Sequence, residues 1–141
     1  MNYWLMKSEP STFGIDDLAR AKNSTSSWDG VRNFQARNYL REMKQGDLAF
    51  FYHSSCDVPG IAGVAAIQRE AYPDPTDKEK KNWVAVDFKT VMPIDRPVTL
   101  EDIKKEPRLK DLKLIRQSRL SVMPVSADEW KILCKMAGIA A

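Results

Sequence analysis

Histidine occurs once in these 141 residues, at His53, and cysteine only twice, at Cys56 and Cys134. Soft and imidazole ligands are therefore too few and too widely spaced for a zinc site, and two distant cysteines make no disulfide framework. Neither a metal nor a cofactor is expected. No apolar run approaches the ~20 residues that span a bilayer, and Met1-Asn2-Tyr3-Trp4 has neither the basic region nor the long apolar stretch of a secretory signal. The expectation is no membrane partner and a cytoplasmic location, or a nuclear one in a eukaryote. Internal repeats, low-complexity tracts and Gly/Ser linkers are also missing, so residues 1–141 read as one domain. The 43% of hydrophobic and 29% of charged residues belong to a folded chain that can bury a core without staples.

Apolar periodicity supplies the elements. Tyr3 to Met6 is an aromatic-apolar strand closed by Ser8-Glu9-Pro10. Gly14 with Asp16 and Asp17 starts a short helix whose acidic first turn complements the helix dipole, and Asn23 to Ser27 reads as a polar loop leading to Trp28-Asp29-Gly30. Ala36, Tyr39, Leu40 and Met43 recur at helical spacing, which predicts a helix from an N-capping Asn33 to Lys44, stopped by Gly46. Residues 47–52 and 61–67 read as buried strands joined by the loop from His53 to Gly60, and Val84, Val86 and Phe88 alternate as in a half-buried strand. Tyr72 to Asn82 between them reads as a charged surface loop. Thr99-x-x-Asp102 and Ser126-x-x-Glu129 are capping boxes, and the second opens a helix carrying Trp130, Leu133, Cys134 and Ala137 on one face before Gly138. Strands and helices alternate without a regular βαβ beat, which predicts an α+β domain around a curved mixed sheet.

The net charge of +3 is not evenly spread, because Lys104 to Arg119 holds seven basic residues against Glu106 and Asp111. Such a patch suits a phosphate backbone or an acidic protein partner, although a solvated face is the commoner explanation of a charge run. Evidence for catalysis is thin. His53-Ser54-Ser55-Cys56 is the one place where imidazole, hydroxyls and thiol cluster, and neighbours on a strand point to opposite faces, which argues against a Ser-His or Cys-His pair. A hydrolase of modified nucleotides or nucleic acid using His53 stays open as an alternative. Gly60-x-x-Gly63 lacks the lysine and the strand-to-helix setting of a phosphate loop.

Five blocks carry a resemblance: residues 3–10 (Tyr3-Trp4-Leu5-Met6-Lys7-Ser8-Glu9-Pro10), 28–38 from Trp28-Asp29-Gly30 to Asn38, 51–54, 59–63 and 119–125. In this order they resemble the successive motifs of the EVE domain family over nearly the whole chain. The resemblance implies a PUA-like fold, a curved mixed sheet or pseudo-barrel with flanking helices, and kinship to the YTH domains that read N6-methyladenine in RNA. It implies a non-catalytic module that binds DNA or RNA carrying a modified base such as a 5-substituted cytosine. Reading such a base requires taking it out of the stack, sandwiching it on aromatic or apolar planes and bonding its edge.

On that basis Trp28 matches an aromatic cage position, with a core-capping tryptophan as the competing role. Lys7 and Ser8 match the end of the first strand in both families, Ser8 offering its hydroxyl to a base edge or simply forming the turn before Pro10. Asn33 can donate and accept at a base edge, or serve as helix cap. Tyr52, His53 and Ser54 end the facing strand with a ring and neutral polar groups, Tyr52 being equally suited to plain core. Arg119, Leu120 and Ser121 complete the set, with Arg119 either reaching the ligand or paired with a carboxylate such as Asp29. Lys110, Lys113 and Arg116 are the expected phosphate contacts. The second cage tryptophan of the YTH readers has no match; Trp83 reads as structural, which leaves Tyr52 or an apolar side chain as the second wall.

Overall fold

The computed structural model describes residues 1–140. Six strands, β1 (Tyr3–Ser8), β2 (Thr25–Trp28), β3 (Leu48–His53), β4 (Gly60–Pro73), β5 (Val84–Thr99) and β6 (Val122–Val125), form one sheet in the order β2-β5-β4-β3-β1-β6. Only β1 and β3 pair in parallel; the other neighbours are antiparallel. The sheet is mixed, as expected, but open: β2 and β6 are its edges. Register shifts along β3, β4 and β5 mark bulges, which bend a sheet locally.

β3 explains the layering. Its residues Ala49 to Tyr52 are all buried, so the strand is covered on both faces and reads as a continuous apolar run. Phe50 stacks on Trp130 of α5 (Ala127–Ala137) at 3.9 Å between ring centroids. Phe51, pointing the other way, meets Phe13, Trp28 and Phe88. On that second face α1 (Ile15–Arg20) approaches so closely that a Cβ on Gly63 would lie 2.5 Å from the Ile15 side chain. The two glycines of Gly60-x-x-Gly63 thus serve packing, since a Cβ on Gly60 would meet the Val98 carbonyl at 2.6 Å.

Caps follow the sequence closely. The Asn33 side chain accepts from the Ala36 N–H, and Ser126 and Glu129 exchange both bonds of a capping box. Gly138 ends α5 in the left-handed region. Shorter helices α3 (Leu100–Lys105) and α4 (Lys113–Arg116) complete the set.

Four boundaries differ from expectation. The helix predicted to Lys44 is α2 (Phe34–Glu42), because Met43 turns extended and the Lys44 N–H is taken by the Asp47 carboxylate, which also accepts from Asn2 and Trp4. The polar loop before Trp28 contains an edge strand, β2, whose Ser-rich sequence lacks an apolar alternation. The loop read from Tyr72 begins only after Pro73, and Asp74 within it is buried. The strand at 84–89 continues to Thr99 through Pro93 and Pro97: β2 pairs only with Val86 to Lys89, so both prolines lie where β5 has a strand neighbour on one side alone, the edge setting in which proline is tolerated.

Candidate functional site

A cavity of about 700 Å³ opens where β1, the loop before α1, β2 and the segment after it converge. Its size suits a small organic ligand. Aromatic surface comes from Trp28 and Phe13, with the buried Phe88 beneath. Phe51 and Phe88 lie nearly parallel at 6.0 Å, and the half-buried Trp28 stands across both, at 5.9 Å and 85° to the first and 5.1 Å and 70° to the second. Trp28 is therefore both a core contact and a cavity wall, held in one orientation by perpendicular rings.

Polar groups on the rim are placed by the backbone around them. The Ser8 hydroxyl donates to the Phe13 carbonyl at 2.6 Å, which fixes the Phe13 segment and leaves the Ser8 oxygen able to accept. Lys7 donates its ammonium to the Ser118 carbonyl at 2.6 Å, and its partial burial lowers the ammonium pKa. Its backbone N–H bonds Ser121, another lining residue. Asp29 lies exposed on the rim and accepts from the Ser27 hydroxyl.

The wall from Gly30 to Arg32 is set from below by Asp74. Its carboxylate, fully inaccessible to solvent, accepts from the Gly30 N–H (2.8 Å), the Arg32 guanidinium (3.0 Å), and the Thr76 N–H and hydroxyl (2.7 Å each). Burial alone would raise the Asp74 pKa, but bonds from Thr76, Gly30 and Arg32 outweigh it and hold the value down to about 2. Gly30 has a φ of 74°, where a side chain would be strained, so the turn that brings Trp28 and Arg32 to the same cavity favours glycine there.

Of the expected site residues, Lys7, Ser8, Trp28 and Ser121 line this cavity. Asn33, Arg119 and Leu120 line a smaller adjoining recess with Gln117 and Ser118, and Asn33 spends its oxygen on the helix cap. Among the described residues no ion pair joins Arg119 to Asp29; Arg119 is exposed. Tyr52 is buried with its hydroxyl pKa pushed up to about 12, first by burial and then by Cys56, and it lies outside both recesses. His53 accepts from the Ile15 N–H through Nε2 at 3.1 Å, and its pKa falls because burial outweighs the pull of Asp16 and Asp17. Ser54 bonds the Ser8 carbonyl through its own N–H. Lys110 precedes α4, and Lys113 and Arg116 are its first and last residues; none of the three lines the cavity, and Arg116 faces Asp111 at 3.7 Å. Phe13, Asp29, Arg32 and Phe88 line the cavity without having been singled out, although Asp29 and Arg32 stand in the longest of the resembling blocks.

Comparison with known proteins points one way. Thymocyte nuclear protein 1 of Danio rerio is 42% identical over 94% of this chain and 71% of its own. The crystal structure of human THYN1 protein in complex with 5-methylcytosine-containing DNA superposes with a TM-score of 0.92 at 37% identity, covering all of both chains. The YTH domain of a Zygosaccharomyces rouxii protein in complex with N6-methyladenosine RNA shares the fold alone, with a TM-score of 0.59 at 17% identity over 96% of this chain and 86% of that one. The PUA-like architecture is common to these neighbours, and the family model for the EVE domain matches residues 2–136, so the chain belongs to the EVE domain family.

Proposed function

We propose that this protein is a non-catalytic reader of modified nucleic acid, taking a base of the 5-methylcytosine class, swung out of its stack, into the Trp28 cavity. The observation that carries it is a tryptophan held crosswise on Phe51 and Phe88 with one side to an open cavity, rimmed by acceptors and cations. A cytosine presents an exocyclic amine that an aspartate or glutamate accepts, and Asp29 and the Ser8 oxygen, both lining the cavity, are the acceptors assigned to it in this reading. Val31 and Phe13 offer apolar surface to a 5-methyl group. Lys7 supplies positive charge for a flanking phosphate. Support from kinship is the human relative, whose crystallised chain, 37% identical over its whole length, was solved with 5-methylcytosine-containing DNA.

A hydrolytic role for His53 is disfavoured because its Nε2 is engaged by the Ile15 N–H and sits outside the cavity. The test is a panel of oligonucleotides differing only in one base. Burying one methyl-sized group is worth ~0.8 kcal/mol, so a methylated strand should bind about fourfold tighter than its parent, or more. Equal affinity across the panel would replace the reader by a base-blind basic module, and any product seen by mass spectrometry that vanishes in His53→Ala would replace it by an enzyme.

A further inference from the structure

Phe34, the first residue of α2, leaves 64% of its surface exposed, unusual for a phenylalanine. It is not loose. Its ring stacks on Trp83, itself only 8% exposed, with centroids 5.0 Å apart and planes 24° from parallel. The Arg37 guanidinium lies 4.9 Å from the Phe34 ring and 5.5 Å from Trp83. Those three separations are nearly equal. Were Arg37 on the far face of Phe34, its distance to Trp83 would approach the sum of the other two, so it must lie beside the stack. The outer face of Phe34 is left open.

Arg37 has no ion-pair partner among the described residues, and its Nε is buried without an acceptor. Arg32 ties this stack to the cavity: it lines the cavity wall while its guanidinium sits 5.5 Å over Trp83. Phe34 follows Arg32 by two residues, a reach of at most roughly 7 Å, which keeps the stack next to the cavity wall. A rigid aromatic face beside an uncommitted arginine is the combination that holds unpaired bases by stacking and their phosphates by charge.

We infer that Phe34, backed by Trp83 and flanked by Arg37, is a second nucleobase platform that stacks an unpaired base neighbouring the one in the Trp28 cavity; it rests on the reader role proposed above. The ligand class is therefore a single-stranded or locally opened segment of at least two nucleotides.

The test is a cycle on the full chain. The probes are a short single strand with one central 5-methylcytosine and the same strand with an abasic residue on one or the other side of it. For the parent protein, removing the base on one side should cost about fivefold to a hundredfold in affinity, the range of a lost base-aromatic stack. Phe34→Ala should lose a similar factor on the intact strand, become indifferent to the abasic residue, and keep the preference for 5-methylcytosine over cytosine. Phe34→Trp should retain the parent behaviour. Unchanged affinity in Phe34→Ala, or an abasic penalty that persists in it, overturns the platform and leaves the reader standing. A parent protein without preference for the methylated strand overturns the reader, and the platform with it.

Discussion

Trp28 has two jobs that a single substitution separates. Trp28→Ala removes a cavity wall and an aromatic contact to Phe51 and Phe88. Stacking on an aromatic plane is worth ~1 to 3 kcal/mol, so affinity for a methylated strand should fall about fivefold to a hundredfold. The melting temperature should also drop by several degrees, because a half-buried ring leaves a gap worth ~1 to 3 kcal/mol. Trp28→Phe should lose less of both. A variant that melts earlier yet binds undiminished would reduce Trp28 to a core residue. Asp74 acts at one remove. Its carboxylate is the shared acceptor for Gly30, Arg32 and Thr76, and Asp74→Ala strands those donors, at about 2 to 4 kcal/mol in stability by denaturant titration. Because its folded pKa is about 2 against an ordinary 3.8, this contribution is present above pH 3.8 and fades only as pH falls toward 2. Binding near neutral pH should therefore owe no pH dependence to Asp74.

At the scale of elements, the sensitive join is between β3 and α1. The Ile15 N–H, one of the unsatisfied donors at the start of α1, is accepted by neutral His53. Protonation turns that nitrogen into a donor and breaks the bond. Burial holds the folded pKa below its ordinary 6.5, so the unfolded chain binds the proton first and stability falls as pH drops below about 6.5, levelling off beneath the folded pKa. Melting temperature measured from about pH 7.5 down to about 5 should show this slope in the parent and lose it in His53→Gln. Since Phe13, just before α1, lines the cavity and is tied to Ser8, base affinity should weaken over the same interval. A parent and variant with identical pH profiles would detach His53 from α1.

Over the whole molecule, positive charge lies at Lys7 on the cavity rim and along the segment from Lys104 to Arg119. That segment reaches the cavity edge through Ser118, which accepts from Lys7, and Ser121. A strand held in the cavity and passing over it should bind with a log-log salt slope of a few phosphate contacts. Lys110→Ala with Lys113→Ala should flatten the slope and spare base preference; an unchanged slope would make those lysines a solvated face.

How far the chain was legible without coordinates follows a physical divide. Local signals act within a few residues: the spacing of Ala36, Tyr39 and Leu40, the caps at Asn33, Thr99 and Ser126, and the buried run of β3 each specified its element in place. Motif blocks such as Lys7-Ser8 and Trp28 to Arg32 likewise marked segments that meet at the cavity. Contacts across the sheet left no such trace. The Ser-rich β2 is a strand because β5 offers it an edge, and Pro93 is tolerated because β2 is too short to reach it. Asp74 looked like a solvated loop residue and is buried because donors from Gly30 and Arg32, more than forty positions away, converge on it. Tyr52, a candidate for the second wall, turns into the core, while Phe13 and Phe88 arrive at the cavity from segments 75 residues apart. Sequence alone determined most of the elements and the family, and named four of the residues that line the cavity, Lys7, Ser8, Trp28 and Ser121; which side chains share a cavity was decided by strand order and register, since those bring together groups that no local pattern relates.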